Sequence, residues 1–174
     1  MIVREVIENS ENINSASLQF MKKTFATLIF CFFFFAISAF AQEARKIDEF
    51  GNESCDNFRN LLDIFFAELK DSKDAKGYIF VYEGKLLVPL YNKENRTIYP
   101  QRGEAEAEIK LIRQHILFRD FDKSRIVLIN GGIRERYTVE LWIVPNNSTP
   151  PKSAPTLKKM KYRKGKAKDR CYYI

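Results

Sequence analysis

The sequence predicts an α/β fold, an α+β two-layer sandwich in the order α-β-(β)-α-β-β, with a small mixed sheet packed by two helices. Three observations carry this. Cys55, Phe58, Leu62, Phe65 and Leu69 recur every three or four positions, which places them on one stripe of a helix. A second such run, Ala105, Ile109, Ile112 and Ile116, stands between two segments dense in β-branched and aromatic residues, Tyr78 to Tyr82 and Arg125 to Asn130. Val139, Leu141 and Ile143 alternate with Thr138, Glu140 and Trp142, the period of a half-buried strand. A strand, helix and strand of this size imply a parallel pair joined by a right-handed crossover.

Taken in chain order, residues 42–53 are polar, contain Gly51-Asn52 and read as a linker. Ser54 is a good N-cap, with Asp56 in the first turn, for a helix running to about Lys70 and widened by Leu61 and Phe66. The polar stretch Asp71 to Gly77 stops it. Tyr78 to Tyr82 is a strand, and Glu83-Gly84-Lys85 is expected to turn it into a second run, Leu86 to Tyr91. Pro89 cannot donate to a ladder, which confines that run to an edge. Asn92 to Arg102 reads as an exposed loop before the helix Gly103 to Phe118, where Glu106 and Lys110 form an i,i+4 pair. Charged residues Arg119 to Ser124 lead to the Arg125 to Asn130 strand, which Gly131-Gly132 is expected to break before Tyr137 to Val144. A single domain, residues 54–145, is expected. Residues 146–174 read as a Pro-rich spacer and a basic tail.

Ahead of the domain, Met21-Lys22-Lys23-Thr24, the apolar run Phe25 to Ala41 and the small-x-small triplet Ala39-Phe40-Ala41 have the layout of a secretory signal peptide over residues 21–41. Residues 1–20, acidic where such a signal begins with positive charge, read as a mis-assigned extension ahead of a start at Met21. The expected localisation is therefore export, to the periplasm, the cell envelope or the medium. Retention of the apolar run makes the protein membrane-anchored instead. Cys31 leaves with the signal, so Cys55 and Cys171 are left as a pair in an oxidising compartment, and a disulfide between them is expected.

The formal net charge is +7, but its distribution is uneven. Lys152 to Arg170 holds nine Lys or Arg against Asp169, while residues 42–151 hold 17 basic and 18 acidic residues. The tail, with Lys158, Lys159, Lys161 and Arg163, is thus the basic element. Export sets nucleic acid aside as its partner and leaves an anionic cell-envelope component or a membrane surface. Gly131, Gly132, Arg134 and Arg136 form a second candidate anion-binding element, a loop in which glycines expose N–H groups and arginines supply planar donors.

Enzyme signatures are sparse. His115 is the one histidine of the chain, with no His or Cys at metal-ligand spacing, and reads as a helix-surface or helix-flank residue. Neither a nucleophile elbow nor a phosphate-cradling glycine loop occurs, so no cofactor and no catalytic residue is assigned. Glu104 and Glu108, on one helical face, are the carboxylate pair on which an alternative reading rests, a small envelope-acting hydrolase.

The run Gly103-Glu104-Ala105-Glu106-Ala107-Glu108-Ile109-Lys110, then Ile112, Ile116, Asp122-Lys123-Ser124-Arg125-Ile126 and Val139 to Val144, resembles the OmpA-like peptidoglycan-associating domain. Gly77 to Tyr82, Gly103 to Ala107 and Thr138 to Pro145 also resemble motifs shared by a group of small secreted bacterial proteins. The OmpA-like resemblance implies topology and compartment. Its ligand mode does not transfer, because the family's His and Asp are missing around Glu83-Gly84-Lys85 and its ligand-binding Arg falls at Glu108. The resulting expectation is an exported, non-enzymatic envelope or secreted module that binds an anionic partner.

Overall fold

The computed structural model describes residues 43–89, 95–168 and 171. The expected extension and signal, residues 1–41, lie outside the described residues.

Helix α1 (Cys55–Asp71) forms where its apolar stripe predicts it: the Ser54 side chain accepts from the Asn57 N–H at 3.2 Å, and Cys55, Phe58, Leu62, Phe65, Phe66 and Leu69 are buried. Its last carbonyls are satisfied from a distance. Arg125 Nη2 donates to Leu69 O and to Ser72 O, both at 2.6 Å. Helix α2 (Glu104–Phe118) starts at Gly103, whose φ of 89° is left-handed, and buries Ala105, Ile112 and Ile116.

The strands are β1 (Arg45–Phe50), β2 (Ala75–Pro89), β3 (Asn95–Ile98), β4 (Ile126–Arg136) and β5 (Thr138–Pro145). In the sheet, β1 pairs antiparallel with β5, and β5 with the first half of β2. On its other edge β2 pairs with β4, in parallel, and its last residues pair with β3. The sheet is therefore mixed and carries two helices, an α+β two-layer arrangement. By alternation Ile79, Val81, Val139, Leu141 and Ile143 join the helix residues in one apolar core, while Phe80, Tyr82, Glu140 and Trp142 belong to the opposite face.

Four expectations differ from this structure. The linker contains β1, a strand whose mostly charged sequence hides its role: it pairs with the backbone edge of β5 and adds Phe50 to the core. Glu83-Gly84-Lys85 does not turn. Strand β2 runs straight through it, and Gly84 is small for another reason: the connection from β4 to β5 crosses β2 there, so that a Cβ on Gly84 would fall inside the backbone of Arg136 and Tyr137. The polar stretch before α2 holds β3 rather than only loop, and Gln101 within it is buried. Gly131-Gly132 likewise does not end its strand. β4 continues to Arg136 with a bulge, Val81 opposing Asn130 and Tyr82 opposing Gly132, and the skipped Gly131 leaves room for the Tyr82 ring.

Candidate anion-binding face

The C-terminal segment, read from the sequence as a Pro-rich spacer and basic tail, is bonded to the domain along its length. It lies across the domain as a strap. Asn146 N–H donates to Asp74 O at 2.9 Å, Ala154 N–H to the Tyr82 hydroxyl at 3.2 Å, and Thr156 and Leu157 N–H to Ile133 O at 3.0 and 3.1 Å. Farther on, the Tyr162 hydroxyl donates to Glu83 Oε2 at 2.7 Å, Arg163 N–H to Pro100 O at 2.8 Å, and Gln101 Nε2 to Lys164 O at 3.1 Å. Cys171 then meets Cys55 at disulfide distance, Cα to Cα 5.2 Å across 116 residues of sequence. An unstrained bridge closing so long a loop contributes about 4 to 5 kcal/mol in the chain-entropy account. Pro and Gly suit a strap because it contributes individual backbone groups and no ladder of its own.

Beneath the strap lies a saturated polar cluster. Glu140, 5 % exposed, receives Arg134 Nη2 at 2.9 Å and Lys46 Nζ at 3.1 Å on one oxygen, and the Tyr82 hydroxyl at 3.1 Å and Trp142 Nε1 at 3.3 Å on the other. Burial pushes this carboxyl up, but the donated hydrogen bonds outweigh it and hold the group below its ordinary range. Burial raises the Tyr82 hydroxyl. Tyr162 is pushed up to about 12, first by burial and then by its hydrogen bond to Glu83.

This cluster revises the expected Arg loop. Gly131 and Gly132 form the strand bulge, with Gly132 at φ 91° and its N–H on Asn130 Oδ1 at 2.9 Å. Arg134 is committed internally: its guanidinium lies 3.6 Å from the Tyr82 ring centre, pairs with Glu140 and donates to Ala154 O at 3.1 Å. Arg136 ends β4 and is exposed. Of the tail residues, Arg163 is also a fastener, bonded to Tyr99 O and paired with Glu104 at 3.3 Å.

The remaining tail cations face outward. Lys158, Lys159, Lys161, Lys164 and Lys166 are exposed, and among the described residues no acid pairs with Lys158, Lys159, Lys164 or Lys166. Tyr99 collects two lysines over its ring, Lys85 at 5.7 Å and Lys161 at 5.6 Å, and Arg102 lies 4.9 Å from the Tyr162 ring centre. The fixed positive strip thus includes Arg102, which no motif in the sequence marks.

The two carboxylates of the alternative reading differ in their surroundings. Glu104 Oε1 accepts from Gln101 N–H at 2.7 Å and from Arg163, and Glu108 is 2 % exposed. Glu83, where the family's missing His and Asp would fall, is buried and accepts from Gly103 N–H at 2.7 Å.

Of the two expected placements, helix surface or helix flank, His115 takes the flank of α2 that meets α1. It is 6 % exposed and meets Asp63 of α1, Nε2 to Oδ1 2.8 Å, while Arg119 grips both oxygens of the same carboxylate. Burial raises Asp63, yet these two partners bring it below its ordinary range. A cavity of about 440 Å³ opens beside this trio, lined by Arg59, Leu111, Gln114, His115, Phe118 and Arg119. Polar partners on separate helices, 52 residues apart, give no sequence pattern to find them by. Among the described residues no three His, Cys, Asp or Glu side chains gather as metal ligands, and no helix is long and apolar enough to cross a membrane.

Comparison of the chain with protein-family models, with curated proteins and with solved structures returns no match.

Proposed function

We propose that this protein is an exported, non-enzymatic cell-envelope or secreted module that binds an anionic envelope component through its cationic strap. One observation carries the reading: five lysines stand exposed on a segment whose backbone is tied to the domain by Tyr162, Arg163, Lys164 and the Cys55–Cys171 pair. A basic tail that flops must lose its freedom on binding. One already fixed loses far less, and its charges act together over a Debye length of about 8 to 10 Å. The secretory layout of residues 21–41 supplies the compartment, and the OmpA-like resemblance points to the same envelope setting.

Because the strap also covers the sheet, its removal would test folding as much as binding, so the test substitutes its charges. Co-sedimentation with purified cell-wall material is compared for the unaltered protein and a variant with Lys158, Lys159, Lys161, Lys164 and Lys166 changed to Gln. Retention that falls with added salt and disappears in the variant is expected. Equal retention of both proteins overturns the reading.

A further inference from the structure

Among the described residues, the lining of the cavity beside α1 and α2 includes none from the strap and has a composition of its own. Its volume, about 440 Å³, falls within the roughly 300–1,000 Å³ of sites that take small organic ligands. Its polar wall is cationic. Arg119 is held in a fixed orientation by Asp63, which leaves its outer edge to the solvent, with the arginine side chain 47 % exposed. Arg59 of α1, also in the lining, has only a loose pair with Asp56 at 4.0 Å, whose carboxylate is 99 % exposed and therefore binds it weakly. The lining itself carries two guanidinium groups and no carboxylate, with the Gln114 amide beside them.

The rest of the lining is apolar. Leu111 forms part of the wall, and Phe118, the last residue of α2, is 77 % exposed. So large an uncovered aromatic side chain, at the mouth of a cavity and 5.3 Å from the Arg119 guanidinium, offers an apolar surface adjoining a cationic one.

We infer that this cavity binds a small amphiphilic anion, its acidic head between Arg59 and Arg119 and its short hydrocarbon body over Leu111 and Phe118. Planar guanidinium groups favour carboxylate heads, which accept two parallel hydrogen bonds. His115, buried with its Nε2 on Asp63, positions the carboxylate that in turn orients Arg119, and so acts at one remove. The site is independent of the cationic strap, and either assignment stands without the other.

The test uses octanoate as probe, with octanol and an octyl trimethylammonium salt as controls, on the full protein followed by amide NMR. Saturable shifts are expected at Arg59, Leu111, Gln114 and Phe118 with octanoate, at least tenfold weaker affinity for either control, and a similar loss in Arg59→Gln and in Phe118→Ala. Both substitutions are at exposed side chains, so an unchanged far-ultraviolet spectrum certifies their folds. The strap variant carrying five glutamines is expected to bind octanoate normally. Shifts that fail to saturate, that the ammonium probe reproduces, or that survive both substitutions overturn the inference.

Discussion

On one side the sheet meets Phe58, Leu62, Phe65 and Leu69 of α1 and Ile112 and Ile116 of α2, all at or near zero exposure. On the other it meets Glu140, Arg134, Lys46 and a strap of irregular chain. The helix side is held by area, at about 25 cal/mol per Å² of apolar surface, and tolerates local change in proportion to volume. The strap side is held by particular pairs, so each loss there is discrete and leaves a stranded partner. A fold with both has one face that specifies the core and another that depends on a few bonds staying made.

The contrast breaks most completely at the point common to both faces. Gly84→Ala places a methyl group in the Arg136–Tyr137 backbone, and loss of the folded state, or destabilisation beyond about 4 kcal/mol, is expected in urea unfolding. Next in size, Cys171→Ser should cost about 4 to 5 kcal/mol where the bridge has formed. Its cost should be accompanied by rapid tryptic cleavage at Lys158 to Lys168 while helical circular dichroism persists; a strap as protease-resistant as before would show that the polar anchors alone hold it. Glu140→Ala removes the acceptor of four donors and strands Arg134, at an expected cost of about 3 kcal/mol in the same unfolding measurement.

The smallest effect concerns pH. Glu140 has a folded-state pKa below its ordinary value, so its contribution is complete above the ordinary carboxylate range and is lost as pH falls through the lower folded value. Tyr162 is shifted the other way, from 10.0 to about 12, so its contribution is complete below pH 10.0 and is lost as pH rises through about 12. Thermal unfolding across both limbs should show the two losses, and Tyr162→Phe should cost about 1 kcal/mol at neutral pH and reduce the alkaline one, to which the raised Tyr82 hydroxyl also contributes. An alkaline limb unchanged in Tyr162→Phe would remove Tyr162 from the account of strap attachment.

The same contrast explains what was legible in the sequence. Helices α1 and α2 and the alternating β5 bury apolar residues at a fixed period, and the parallel β2 and β4 are dense in β-branched and aromatic residues; period and density announce them. Strand β1 has Arg45, Lys46, Asp48 and Glu49 among its six residues and no such signal. The glycines at 84 and 131 misled for a physical reason: a missing Cβ serves a turn or a close approach equally well, and here it serves a crossing chain and an aromatic ring. The arginine expected to greet a ligand, Arg134, is spent on Glu140, whereas Arg102 and the His115 trio gain their surroundings only through residues distant in sequence. The Cys55 and Cys171 pair was legible because the cysteine count, with an expected oxidising compartment, rather than pattern, predicted it.

The crossing at Gly84 also bears on how the chain assembles. Strands β4 and β5 flank β2 on opposite edges yet are separated only by Tyr137, whose N–H donates to Lys85 O at 3.1 Å. They form a two-pronged clip, and docking one prong brings the other within a few ångströms of its own edge, so the effective concentration for the second pairing is very high. The middle of the sheet then closes as one cooperative unit. Native-state hydrogen exchange should give β4 and β5 a single opening free energy, and distinct values for the two strands would mean that the clip opens one prong at a time.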